Sequence, residues 1–176
     1  MRPQKTIIEN QNINILNVLS EVFRIILSHH LQPEKDKKPL SIKLKAEGIS
    51  EAVVEKSLLW LKKFFDYRPE LYEKLSDPAL KSNLIHRFYA PQEIARIGEE
   101  GPEFLNTLCF EHILPPAKRE FLMDCIMGED IAPLTLPQLQ FLTFVTLTQD
   151  CKKPEEVAWL EEIILKRDPE LTTLAH

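Results

Sequence analysis

Apolar residues recur at three- and four-residue steps along most of this chain, which predicts helices nearly throughout. Ile15, Leu19, Val22 and Ile26 form one stripe of a helix over residues 13–31, with Leu16 and Phe23 beside it. The segment 32–39, QPEKDKKP, reads as a polar connector with a proline at each side. A short helix follows over 40–47, and Gly48 is suited to ending it. Ser50 is placed to cap a longer helix over 51–65, with Ile49 and Val54 spaced as a hydrophobic staple. On that helix Val54, Leu58, Leu61 and Phe65 share a face that Val53, Trp60 and Phe64 widen.

Residues 67–83 are rich in turn formers, and 84–89 reads as a strand because Ile85, Phe88 and Tyr89 suit a pleated surface. Its hairpin partner is expected over 66–72. Pro91 and Glu93 then start a short helix with Ile94 and Ile97 facing inward. Three helices followed by an extended element is the order of a winged helix, and helix, glycine turn and capped helix suggest a helix-turn-helix. From Gly101 the pattern is helical to the end. Pro102 opens one helix, Pro115-Pro116 break it, and another runs over 117–127. Thr135 and Gln138 fit a capping box for a helix reaching Gln149. Strand competes in FLTFVTLT, where β-branched and aromatic residues crowd, but Pro137 and the capping pair favour helix. The last helix opens at Pro154, with Val157, Leu160 and Ile164 inside. The expected architecture is mainly α: a winged-helix-like subdomain over 1–100 (three helices plus a short β element), packed on an acidic helical bundle over 101–167, with a tail over 168–176.

Composition sharpens this picture. The 176 residues are 44% hydrophobic and 28% charged, which fits a chain that folds into a globular core. Three cysteines, Cys109, Cys125 and Cys151, cannot all pair within one chain, and a reducing cytoplasm is expected. No segment is apolar enough for a membrane span, and polar residues interrupt any signal core behind Arg2 and Lys5. Residues 101–176 hold six basic and thirteen acidic side chains, whereas 1–48 hold eight and five. Any nucleic-acid contact is therefore expected from the first half.

Three stretches resemble one family: SLLWLKKFFDY at 57–67, LIHRFYAPQEIARI at 84–97, and TLPQLQFLTFVTLTQ at 135–149. In order and spacing they are similar to the Smg proteins, small bacterial proteins of unassigned function, across residues 13–165. Where the family pattern has Thr before the proline of the second stretch, this chain has Ala90, which weakens the helix cap. The resemblance implies a cytoplasmic bacterial protein with no established catalytic residues, so no site is carried across.

The candidate chemistry is sparse. The second helix of the supposed motif begins with Glu51 and Glu55, carboxylates that would oppose a polyanion, and Lys56, Lys62 and Lys63 come too late to offset them. Lys43 and Lys45 close the basic cluster that starts at Lys35, and Arg87 with Tyr89 would offer a cation and a stacking ring. These residues, Lys43, Lys45, Glu51, Glu55 and Arg87, are the candidate contacts for a partner or a nucleic acid. Cys109, His112 and Cys125 lack the regular spacing of a zinc site, and the four glycines match no nucleotide-binding fingerprint. The expectation is a non-enzymatic interaction module that uses no cofactor or metal and contacts another protein. Nucleic-acid binding through the basic first half is the alternative. The charge-free helix over 136–149 is expected to be surrounded, either as the central helix of its bundle, the favoured reading, or as part of an oligomer interface.

Overall fold

The computed structural model describes residues 25, 37–46, 48–64, 66–76, 86–128 and 133–166. The chain divides into two units, Met1–Ser57 and Leu58–His176. In the first, Ile25 is helical and buried; the rest of the helix expected over 13–31 lies outside the described residues. Helix α1 spans Lys37–Ala46, starting inside the expected connector. Pro39 is no obstacle there, because first-turn amides have no intrahelical acceptor. Gly48 ends the helix at φ +81°, with its amide on the Lys45 carbonyl at 3.0 Å and that of Ile49 on Leu44 at 3.1 Å. Only glycine adopts this conformation without penalty.

Helix α2 spans Glu51–Lys63. Its buried stripe is turned relative to the expected one: Val54, Ser57, Trp60 and Phe64 are buried, while Leu58 is half-buried and Leu59 exposed. The side chains of residues 61 and 65 lie outside the described residues.

The winged helix is not supported. Among the described residues there is no strand. Where the partner strand is expected, Pro69–Ser76 is instead 3₁₀-helical with a kink at Tyr72, and residues 87–90 have no strand pairing among the described residues. The reason is that a side chain supplies the missing partner. The Asn106 carboxamide accepts from the Arg87 amide at 3.3 Å and donates to the Arg87 carbonyl at 3.1 Å. Those backbone groups are thus satisfied without a hairpin.

The remaining helices are α3 (Pro91–Ile97), α4 (Gly101–Phe110), α5 (Pro116–Met127), α6 (Leu136–Thr148) and α7 (Pro154–Leu160), which passes into a π-helical turn over Glu161–Leu165. Each of these five α-helices has proline at its first or second position, where a missing amide costs nothing. Ile97 is buried as expected, but Ile94 is exposed. Gly101 is buried at the start of α4, and a Cβ there would lie 2.7 Å from Ile97 Cγ1. The tight passage from α3 to α4 therefore needs glycine.

Helix α6 is central in the second unit, packed against α5, α7 and the π turn. Leu139, Gln140 and Leu142 to Leu147 are all buried. Helix prevails over strand here because the capping box forms: Gln138 Oε1 accepts from the Thr135 amide at 2.9 Å, and Thr135 Oγ1 from the Gln138 amide at 3.4 Å. Thr143 and Thr146 donate back to the Leu139 and Leu142 carbonyls at 2.8 and 2.9 Å, so their hydroxyls are buried satisfied. Each fully buried leucine contributes roughly 1.5–3 kcal/mol. Helix α5 packs on the 3₁₀ helix as well as on α3, α4 and α6. Tyr67, Tyr72 and Phe121 meet there with ring centroids 5.2–6.1 Å apart, and Tyr72 donates to Asp124 at 2.7 Å. Among the described residues no helix is long and apolar enough to cross a membrane.

Candidate functional site

A polar assembly lies where segment 87–90, α3, α4 and α5 meet. Pro91 fixes the start of α3, and Ala90 before it has no side-chain acceptor to offer as a cap. Glu93 supplies the remedy by reaching back, its Oε2 accepting from the Ala90 amide at 2.9 Å. Its other oxygen takes Arg87 Nη2 at 2.8 Å, and Glu120 Oε2 takes the same nitrogen at 3.2 Å. Arg119 sits behind, 1% exposed, with Nε on Glu120 Oε1 at 3.0 Å. Its Nη1 donates to Cys109 Sγ at 3.6 Å and lies 3.5 Å from Asn106 Oδ1. The Arg87 guanidinium stacks on the Tyr89 ring at 4.8 Å, and the Tyr89 hydroxyl reaches Asn106 Oδ1 at 3.5 Å.

Two guanidinium groups and two carboxylates thus neutralise one another. Burial works against the charge on Arg87, but Glu120 and Glu93 outweigh it and hold the group more firmly protonated than usual. Burial pushes the Tyr89 hydroxyl up to about 12. The same cause pushes the Cys109 thiol up to about 11 and Cys125 up to about 12. These thiols stay protonated near neutral pH and are poor nucleophiles. The assembly is suited to fixing a shape: it locks the backbone on both sides of Phe88, whose own exposure is 101%.

The raised acidities carry a pH signature. The unfolded chain releases its Cys protons around pH 9 and its Tyr protons around pH 10, while the folded protein holds Cys109, Cys125 and Tyr89 to about 11–12. Folded protein then binds more protons than unfolded, so stability is fully present below about pH 9 and falls as pH rises toward about 12. Urea midpoints measured at about pH 8 and about pH 11 are expected to show that decline, and Cys109→Ala with Cys125→Ala to reduce it.

Of the residues singled out from sequence, Lys45 and Glu51 are brought together, 2.9 Å apart and both exposed. Such a pair is worth under about 1 kcal/mol. Lys43 is half-buried and Glu55 exposed. These four belong to the first unit and Arg87 to the second. Arg87 turns inward, its cation and the Tyr89 ring stacked on each other, and the residue between them is what faces solvent. Cys109 and His112 do not share a helical face: His112 stands beyond α4 at φ +60° and is exposed. Asn106, Glu120 and the buried Arg119 were not singled out. The available signal was Lys118-Arg119-Glu120, a charged run between apolar positions of one helix.

A family model described as "Protein of unknown function (DUF494)" matches residues 14–173. The chain is similar to the protein Smg homolog of Thioalkalivibrio sulfidiphilus (strain HL-EbGR7), 27% identical over 158 residues, with 89% of this chain and 96% of the relative covered. It is similar to that of Thiobacillus denitrificans, 28% identical over 163 residues, covering 89% and 97%. Protein Smg of Escherichia coli O1:K1 / APEC is 26% identical over 136 residues, covering 76% and 83%. No solved structure matches the chain.

Proposed function

The chain belongs to the Smg (DUF494) family, and from that premise we propose that it acts by docking onto another protein, as a non-enzymatic interaction module. One observation carries the reading: Phe88 stands wholly in water on a backbone pinned at Arg87 by Asn106 and at Ala90 by Glu93. A single exposed apolar side chain is ordinary on a protein surface. One presented by a neutralised ionic cluster on a fixed backbone is different, because little ordering entropy remains to be lost on contact. A buried phenylalanine gains roughly 1.5–3 kcal/mol over an exposed one, and here that gain is left for a partner. Exposed Glu51 and Glu55, with Lys45 tied to Glu51, support the protein reading over nucleic acid at the start of α2.

The test is retention from bacterial lysate at mild salt on immobilised wild type and Phe88→Ser. The wild type is expected to retain a stoichiometric protein that the variant loses. Retention unchanged by the substitution, or none on folded wild-type protein, rejects the reading.

A further inference from the structure

Apart from docking at Phe88, we propose that copies of this chain associate head to tail, the basic face of α1 on one copy seating on the acidic face of α4 on another. Helix α1 contains no acidic residue. Its Lys38, Ile42 and Lys45 are exposed, and steps of four and three residues place them on one face, turned away from buried Leu44. An isoleucine that is 68% exposed is thus flanked by a cation on the turn before and the turn after. Around α4 the charge is opposite. Residues 97–117 contain no lysine or arginine. The nearest cations in the chain are Arg96, which is half-buried, and Lys118 and Arg119, which are buried. Glu103 and Phe110 share the exposed face of α4 with half-buried Thr107 between them, and exposed Glu100 stands one turn ahead. Phe104, Leu105 and Leu108 form its buried side.

Each face supplies what the other needs. Two α1 faces would set lysines against lysines, and two α4 faces glutamates against glutamates, so neither pairs well with itself. The pairing left is α1 with α4, which joins different surfaces of the two copies. Two turns separate Glu103 from Phe110, about 10 Å along the axis, and one turn separates Ile42 from each lysine. With Ile42 against Phe110, the flexible four-carbon stem of a lysine spans the difference. Lys45 already meets Glu51 at 2.9 Å, but both are exposed, and exchanging so weak a pair costs little. A contact of two single-helix faces is small, so the association is expected to be reversible.

Sedimentation equilibrium of the full chain, up to about 1 mM, tests this. The average mass is expected to rise with concentration above 20.5 kDa and to fall back in about 0.5 M salt. Lys38→Glu and Glu103→Lys should each weaken association about tenfold or more. Phe110→Ser should weaken it with no change of charge. Glu70→Lys makes the same charge change at an exposed position on the 3₁₀ helix and should leave it unaltered. Mixing Lys38→Glu with Glu103→Lys should restore association, because one native pairing of faces remains. Both variants keep a net negative charge, so attraction between whole chains does not account for recovery. A monomer at every concentration overturns the proposal. So does association indifferent to the reversals, a loss with Glu70→Lys equal to that with Glu103→Lys, or a mixture no stronger than its separate components.

Discussion

Replacing Arg119 by methionine is expected to lower the unfolding free energy by about 3–5 kcal/mol, the usual cost of removing one partner from a buried ion pair. Methionine fills much of the volume of the arginine stem, so the loss reports the guanidinium more than a cavity. That group is 1% exposed and donates to Glu120, with Cys109 and Asn106 also within its reach. Without it, Glu120 keeps only Arg87 among the described residues, and the Asn106 oxygen that accepts from the Arg87 amide loses a cation beside it. For a slope of about 1–3 kcal/mol per molar urea, the midpoint should fall by at least about 1 M, or the variant should be unfolded without denaturant. Glu120→Gln on its own should cost less, because its amide oxygen still accepts from Arg119. A loss below about 1 kcal/mol for Arg119→Met would show that the cluster is not the keystone of its junction.

Helix positions were legible where local rules suffice. Pro91, Pro102, Pro116, Pro137 and Pro154 mark five starts, and Gly48 marks one end, because a missing amide or a left-handed residue has few other places to go. The burial of α6 followed from its lack of charge, and its helical state from the Thr135–Gln138 box. Residues 84 and 85 of the expected strand lie outside the described residues, and over 86–89 the pattern misled for a non-local reason. Aromatic and β-branched residues suit a strand, yet the backbone partner at Arg87 is a side chain nineteen residues later. A pairing of that kind leaves no periodicity to read. The stripe on α2 came out turned because a serine, Ser57, occupies a buried position that a hydrophobicity pattern assigns to water. Arg119 was hidden for the same cause: charged residues default to the surface unless a partner elsewhere in the chain neutralises them. Phe88 was legible as apolar, and only the fold shows it facing outward.

The second large effect is expected at Lys118, whose neighbours differ instructively from those of Arg119. Its ammonium is buried, donates to the Thr146 carbonyl at 3.0 Å, pairs with Asp150 at 2.7 Å and lies 5.2 Å from the centre of the Tyr67 ring. Thr146 is in the last turn of α6, where carbonyls lack an intrahelical donor and the helix end carries partial negative charge. One cation thus completes the end of the central helix and ties it to α5. Lys118→Met should cost about 2–4 kcal/mol, chiefly by leaving a buried carbonyl unsatisfied and by removing a cation from the helix end and the ring face. The loss should be smaller than at Arg119, because the abandoned Asp150 carboxylate is 68% exposed and returns to water. For the same reason Asp150→Asn should cost under about 1 kcal/mol. Urea melts of the two single variants separate these contributions: a large loss at Lys118 with a small one at Asp150 assigns the lysine to the helix end. Equal losses would assign it to the ion pair, and the completion of α6 by a buried cation would then have to be abandoned.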